Sequence, residues 1–187
     1  MMVRFGKPNL VELMIAPVAS SCRLGHGYGC TLGELASPGI MRVFGRLETV
    51  KSRVALDVED VQAALEAAKA EAVKNGWIVS IALVDDGGHA LGFLRLTDAA
   101  PLSAQIAFGK ARAAALSRRE SKFYEDVVKN GRTAFLSVSD FTTLEGGVPI
   151  LICGQCVGAL GVSGVRSDQD AQIANAGVHA ILGRSSK

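Results

Sequence analysis

Apolar residues recur at helical spacing after Asp57, where Val58, Val61, Leu65, Ala68, Ala72 and Val73 form one stripe. Asp57 suits an N-cap and Gly76 a stop, so the pattern predicts a helix between them. The continuous apolar run Trp77-Ile-Val-Ser-Ile-Ala-Leu-Val84 predicts a buried strand. Asp85-Asp86-Gly87-Gly88 supplies residues suited to a turn, and His89–Leu96 returns as a second strand. Pro101 opens an Ala-rich helix to about Arg118, because proline fits the first helical turn. A shorter amphipathic helix covers Lys122–Asn130 and ends at Gly131. Glu145-Gly146-Gly147 then turns the chain into a second hairpin built from Val148–Ile152 and Val157–Val162. Gly154-Gln155 is expected at its tip, with Cys153 and Cys156 facing each other at the strand ends. Ser167-x-x-Asp170 reads as a capping-box variant that starts a last helix ending near Gly183.

The strands come as adjacent antiparallel pairs rather than alternating singly with helices. This order favours an α+β fold, with helices packed on an antiparallel sheet, over a doubly wound parallel one. No Gly-x-Gly-x-x-Gly lies between a strand and a helix, and no Gly-x-x-x-x-Gly-Lys-Ser/Thr occurs, which argues against nucleotide chemistry.

Residues 1–55 differ from the rest of the chain. Glycines and prolines punctuate them every few residues, and they carry seven basic groups against three acidic ones. Residues 56–187 carry 13 basic and 15 acidic groups. The first segment is expected to be an irregular basic arm before a domain at 56–187, with Met41 as an alternative translation start. Leu10–Ala19 resembles a secretory apolar stretch only weakly, since Glu12 and Pro17 interrupt it. A cytoplasmic location is therefore favoured over secretion.

Composition narrows the picture further. The 187 residues are 49% hydrophobic and 20% charged, with a formal net charge of +2. Such a chain can bury a core without disulfides or metal, and its apolar content is incompatible with general disorder. The balanced charge argues against nucleic acid as a partner, and the absence of a sufficiently long apolar run argues against a membrane span.

Several polar residues are candidates for chemistry. His89 stands directly after the glycine turn, where an imidazole can ligate iron or zinc or act as a general base. The plainer alternative is a strand-end histidine bonded to turn carbonyls. His179 shares a helical face with Gln172 and Asn175 and is expected to face water. Lys110 and Arg112 interrupt an alanine-rich helix whose small residues would let a ligand or a second subunit approach, and such cations bind carboxylates. Glu145 can pair with either cation or serve as a turn acid. Cys153 and Cys156 form a Cys-x-x-Cys pair, which serves redox chemistry where it opens a helix but between two apolar runs reads as two small strand residues in a reducing compartment. A zinc site shared with Cys22 and Cys30, which flank His26, would require the arm to fold back.

Four separated motifs carry a resemblance: Val84-Asp85-x-Gly-Gly-His89, Gly109-Lys-Ala-Arg112, Glu145-Gly-Gly-Val-Pro149 and Gly158-Ala-Leu-Gly-Val-Ser-Gly164. From about Leu56 to Leu182 the chain resembles the GlcG/HbpS-like haem-binding or haem-degrading family, which includes the C-terminal domain of PduO-type proteins. The resemblance implies a profilin-like domain with α/β/α layers around a five-stranded antiparallel sheet. It also implies a homo-oligomer, commonly a tetramer or octamer. It makes His89 the leading candidate as haem-iron ligand, with Lys110, Arg112 and Glu145 behind it. The basic arm and the two hairpin cysteines depart from the family pattern.

Two functions are compatible with these residues. In one, the protein binds haem: His89 supplies an axial nitrogen, Lys110 or Arg112 holds a propionate, and Phe93, Phe108 and Phe123 help to cover the macrocycle. In the other, it is an enzyme of small hydroxy-acid, aldehyde or aromatic catabolism. Lys110 and Arg112 would then hold a carboxylate while His89 or Glu145 moves a proton.

Overall fold

In the computed structural model, residues 53–185 are described. The arm expectations, including Met41, His26, Cys22 and Cys30, lie outside the described residues. The first helix, α1 (Val58–Lys74), begins as its local sequence dictates. The Asp57 carboxylate accepts from the Asp60 amide at 2.7 Å, and Asp60 reaches back to the Asp57 amide. This reciprocal cap satisfies two amides that the first turn leaves without partners. Gly76, at φ +69°, ends the helix, and the Trp77 amide donates back to the Ala72 carbonyl at 2.9 Å. That closing bond draws Trp77 into the helix exit, so β1 spans Ser80–Asp85 rather than starting at Trp77.

The chain continues through β2 (Ala90–Arg95), α2 (Pro101–Ser117), α3 (Lys122–Lys129), a 3₁₀ turn at Thr133–Ser137, β3 (Gly147–Ile152), β4 (Gln155–Ser163) and α4 (Ser167–Ser185). The sheet is wholly antiparallel with strand order β2-β1-β4-β3. Four strands are present among the described residues, not five. Among the described residues the long connection between α3 and β3 coils through the 3₁₀ turn and then reaches Asp140 at φ +56°, which breaks an extended run.

Alternation along β1 separates two cores. Ile81 and Leu83 join Leu160, Val162, Ile150 and Val148 beneath α1 and α4, which contribute Ala64, Ala68, Ala72, Ile173, Val178 and Ile181. Ala82, Val84 and Ala159 face α2, which contributes Ala107, Ala111, Ala114 and Ala115. Burying each large aliphatic side chain of the first core contributes about 1.5–3 kcal/mol before entropy is counted. The second core is thin because helix and strand backbones nearly touch. A Cβ at Gly161 would collide with the Ala107 carbonyl and the Ala111 amide, and one at Gly147 with the Lys110 carbonyl. The small residues of α2 therefore serve its own sheet.

The second hairpin turns one residue earlier than expected. Cys153 and Gly154 occupy the turn, both at positive φ, and Leu151 and Ile152 pair with Cys156 and Gln155. The two cysteines consequently do not face each other: Cys153 is exposed at the tip, whereas Cys156 is buried against the Ala115 and Gly158 carbonyls. No helix among the described residues is long and apolar enough to cross a membrane.

Candidate functional site

The turn after β1 builds the site. One oxygen of Asp85 accepts the amides of Gly87 and His89, each at 2.8 Å, while its other oxygen lies 3.2 Å from His89 Nδ1. Strand pairing closes the same turn, since the Asp85 amide donates to the His89 carbonyl at 2.9 Å. Gly87 leaves room for the ring, since a Cβ there would lie 2.9 Å from Nδ1 and displace it from this position. The imidazole is thus held by the Asp85 carboxylate and not by turn carbonyls, and its side chain is 82% exposed. With Nδ1 donating to Asp85, Nε2 presents its lone pair outward, the tautomer a metal or a proton donor requires. Partial burial pushes the Asp85 carboxyl up, but the bonds from the His89 amide, the His89 ring and the Gly87 amide outweigh it and hold the group below its ordinary value.

Arg112 reaches the same turn from α2. Its Nε donates to the Gly88 carbonyl at 3.2 Å, and its side chain remains 40% exposed. It borders an open groove of about 560 Å³ lined with Ala90, Phe108, Phe141 and Thr142 among others. Phe93 stacks on Phe108 with ring centroids 5.2 Å apart. His89 and Arg112 are therefore brought to one edge, joined through Gly88 and Ala90.

Lys110 and Glu145 are placed elsewhere. The Lys110 ammonium is buried, donating to Asp170 at 2.7 Å and to the Val162 carbonyl at 2.9 Å. Burial pushes the Asp170 carboxyl up, and Lys110 and the Val165 amide offset this only in part. Gly146 makes room for the pair, since a Cβ there would lie 2.9 Å from Lys110 Nζ. Glu145 pairs with Lys122 on α3 at 2.9 Å, not with Lys110 or Arg112. Asp170 is likewise not the partner of a Ser167 cap. Gln169 reaches back to the Arg166 amide, while Asp170 turns inward to Lys110 and the Val165 amide.

His179 is exposed, as its helical face implied. Among the described residues no three His, Cys, Asp or Glu side chains gather so as to hold a metal ion. Sequence reasoning missed Asp85 as the histidine's holder and Asp170 as the lysine's. The Asp-x-x-x-His spacing across a glycine turn was a usable signal for the first; nothing local marked the second.

The comparisons agree with this architecture. The chain is 52% identical to Protein GlcG of Escherichia coli (strain K12) over 114 residues, covering 61% of this chain and 85% of GlcG. Among solved structures, HbpS matches with a TM-score of 0.66 at 30% identity, covering 71% of this chain and 94% of HbpS. A complex of PduOC with haem matches with a TM-score of 0.63 at 29% identity, covering 68% of this chain and 95% of PduOC. The model of the family described as haem degrading protein HbpS-like matches residues 56–179, and to that family the chain belongs.

Proposed function

We propose that this protein binds haem, which His89 Nε2 would hold through the iron and Arg112 through a propionate. The observation that carries this reading is the Asp85–His89 pair, which leaves one oriented imidazole nitrogen free beside a groove with aromatic walls and a guanidinium. These residues fit the group: a neutral imidazole suits iron, a planar cation suits a carboxylate, and Phe108 and Phe141 suit a flat apolar ring. Haem, when bound, would supply redox-active iron. The chain's own residues hold it, orient the imidazole and pair its anionic edge. Lys110 has no part in this reading because its charge is already paired inside the fold. A half-open groove covers only part of such a ligand, which accords with a working homo-oligomer. Haem degradation or redox sensing would build on the same ligand.

A second reading draws on the same dyad. An Asp-held histidine next to an arginine is also a general base beside a carboxylate clamp, suited to a small hydroxy acid or aromatic acid. Titrating hemin and a panel of small acids while following thermal unfolding separates the two. A ligand at 100 times its Kd adds about 2.7 kcal/mol. Stabilisation by hemin alone supports the haem reading; stabilisation by an acid, without hemin, moves the function to the enzyme.

A further inference from the structure

Arg112 faces a carboxylate, Asp140, across the groove. Its Nε side is committed to the Gly88 carbonyl, while Nη1 lies 3.7 Å from Asp140 Oδ1. That separation exceeds a hydrogen bond, so the contact is an ion pair without directional bonding. The Asp140 side chain is 80% exposed and can leave the pair at little steric cost. Its surroundings are held more firmly. The Phe141 ring meets Tyr124 edge-on at 4.7 Å, and Thr142 lies so close over Gly109 that a Cβ there would collide with its hydroxyl. Asp140 itself sits at φ +56°, a conformation that Asp and Asn tolerate better than most residues. A ligand carboxylate that makes two bonds to Arg112 needs the nitrogens Asp140 faces.

We propose that Asp140 is a specificity residue of this groove, a built-in carboxylate that occupies Arg112 until an incoming carboxylate displaces it. The inference rests on the haem reading and names how that site selects its ligand. An anionic ligand must overcome repulsion from Asp140 before it gains Arg112, so weakly pairing anions are disfavoured. A ligand without a carboxylate neither meets that repulsion nor gains the pair.

The test titrates hemin and hemin dimethyl ester into the full chain and its Asp140→Asn, Arg112→Gln and doubly substituted variants. Ionic strength is kept near 10 mM, where screening extends over about 30 Å. Asp140→Asn should bind hemin about two- to fivefold more tightly, the size of an exposed charge contact. The ester's affinity should not change, and the gain should vanish when Arg112 is Gln. Equal hemin affinity with Asp or Asn, or a gain that persists with the ester or without Arg112, overturns the proposal. In that case a His89-dependent Soret band in the unsubstituted chain still leaves the haem reading standing. Hemin bound by the Asn variant alone supports the competition. Hemin bound by neither overturns the proposal and the haem reading together.

Discussion

Lys110 and Asp170, sixty positions apart in the chain, meet at 2.7 Å with both side chains almost wholly buried. This contact ties α2 to the start of α4, and the Val162 carbonyl beside it ties both to β4. It explains why Gly109-Lys-Ala-Arg112 and Glu145-Gly146-Gly147 belong together: one supplies the buried cation, the other the space around it. Lys110→Ala leaves the Asp170 charge uncompensated and should destabilise the fold by about 3–5 kcal/mol. Replacing both partners with Met and Leu should cost far less. Urea unfolding of the three proteins checks this, and a loss under 1 kcal/mol for Lys110→Ala contradicts it.

Close packing of α2 on the sheet makes a second prediction. Gly161→Ala drives a methyl into the Ala107 carbonyl and should cost about 3 kcal/mol or more, because backbone on both sides must move. Gly154→Ala meets no atom within 4 Å and pays only for its φ of +76°, about 1 kcal/mol. Equal losses at the two positions would count against the backbone contact.

The Asp85 carboxyl, held below its ordinary value, implies a pH dependence. An acid whose folded pKa is depressed contributes stability above its unfolded value and loses it as pH falls through the folded value. Unfolding midpoints should therefore drop as pH falls below about 4. Asp85→Asn should flatten part of that acid limb and lower haem affinity in the same protein, because Asn cannot hold the imidazole as firmly. A variant that keeps the full acid limb would show that Asp85 is not linked to folding.

Thiol accessibility separates the hairpin cysteines. Cys153 should be alkylated rapidly in the native protein, while Cys156, buried against Ala115 and Gly158, should react only on unfolding. Peptide mass mapping after a short alkylation pulse gives the answer, and equal labelling would contradict the hairpin register.

Features encoded in a few neighbouring residues were legible before the structure. Asp57, Gly76, Pro101 and the glycine turn at 87–88 each satisfy or redirect their own backbone, and each lies where the pattern places it; Asp60, which completes the cap at Asp57, is seen only in the structure. The hairpin tip moved by one residue because Cys153 adopts a positive φ that its side chain does not advertise. Lys110 is harder to read for a different reason. Small neighbours on a helix look alike whether they admit a ligand or the protein's own sheet, and the deciding partner, Asp170, lies on another helix. Glu145 followed the same logic, since its cation proved to be Lys122. His89 is visible as a candidate, but its orientation depends on a carboxylate four residues earlier that the sequence marks only as part of the turn.

The central claim is that His89 is the iron ligand, and the visible spectrum of the haem-reconstituted protein tests it most directly. The account predicts a stoichiometric Soret band in the unsubstituted chain that is lost or strongly shifted in His89→Ala, with the fold intact by circular dichroism. An unchanged band and unchanged affinity in His89→Ala would contradict it.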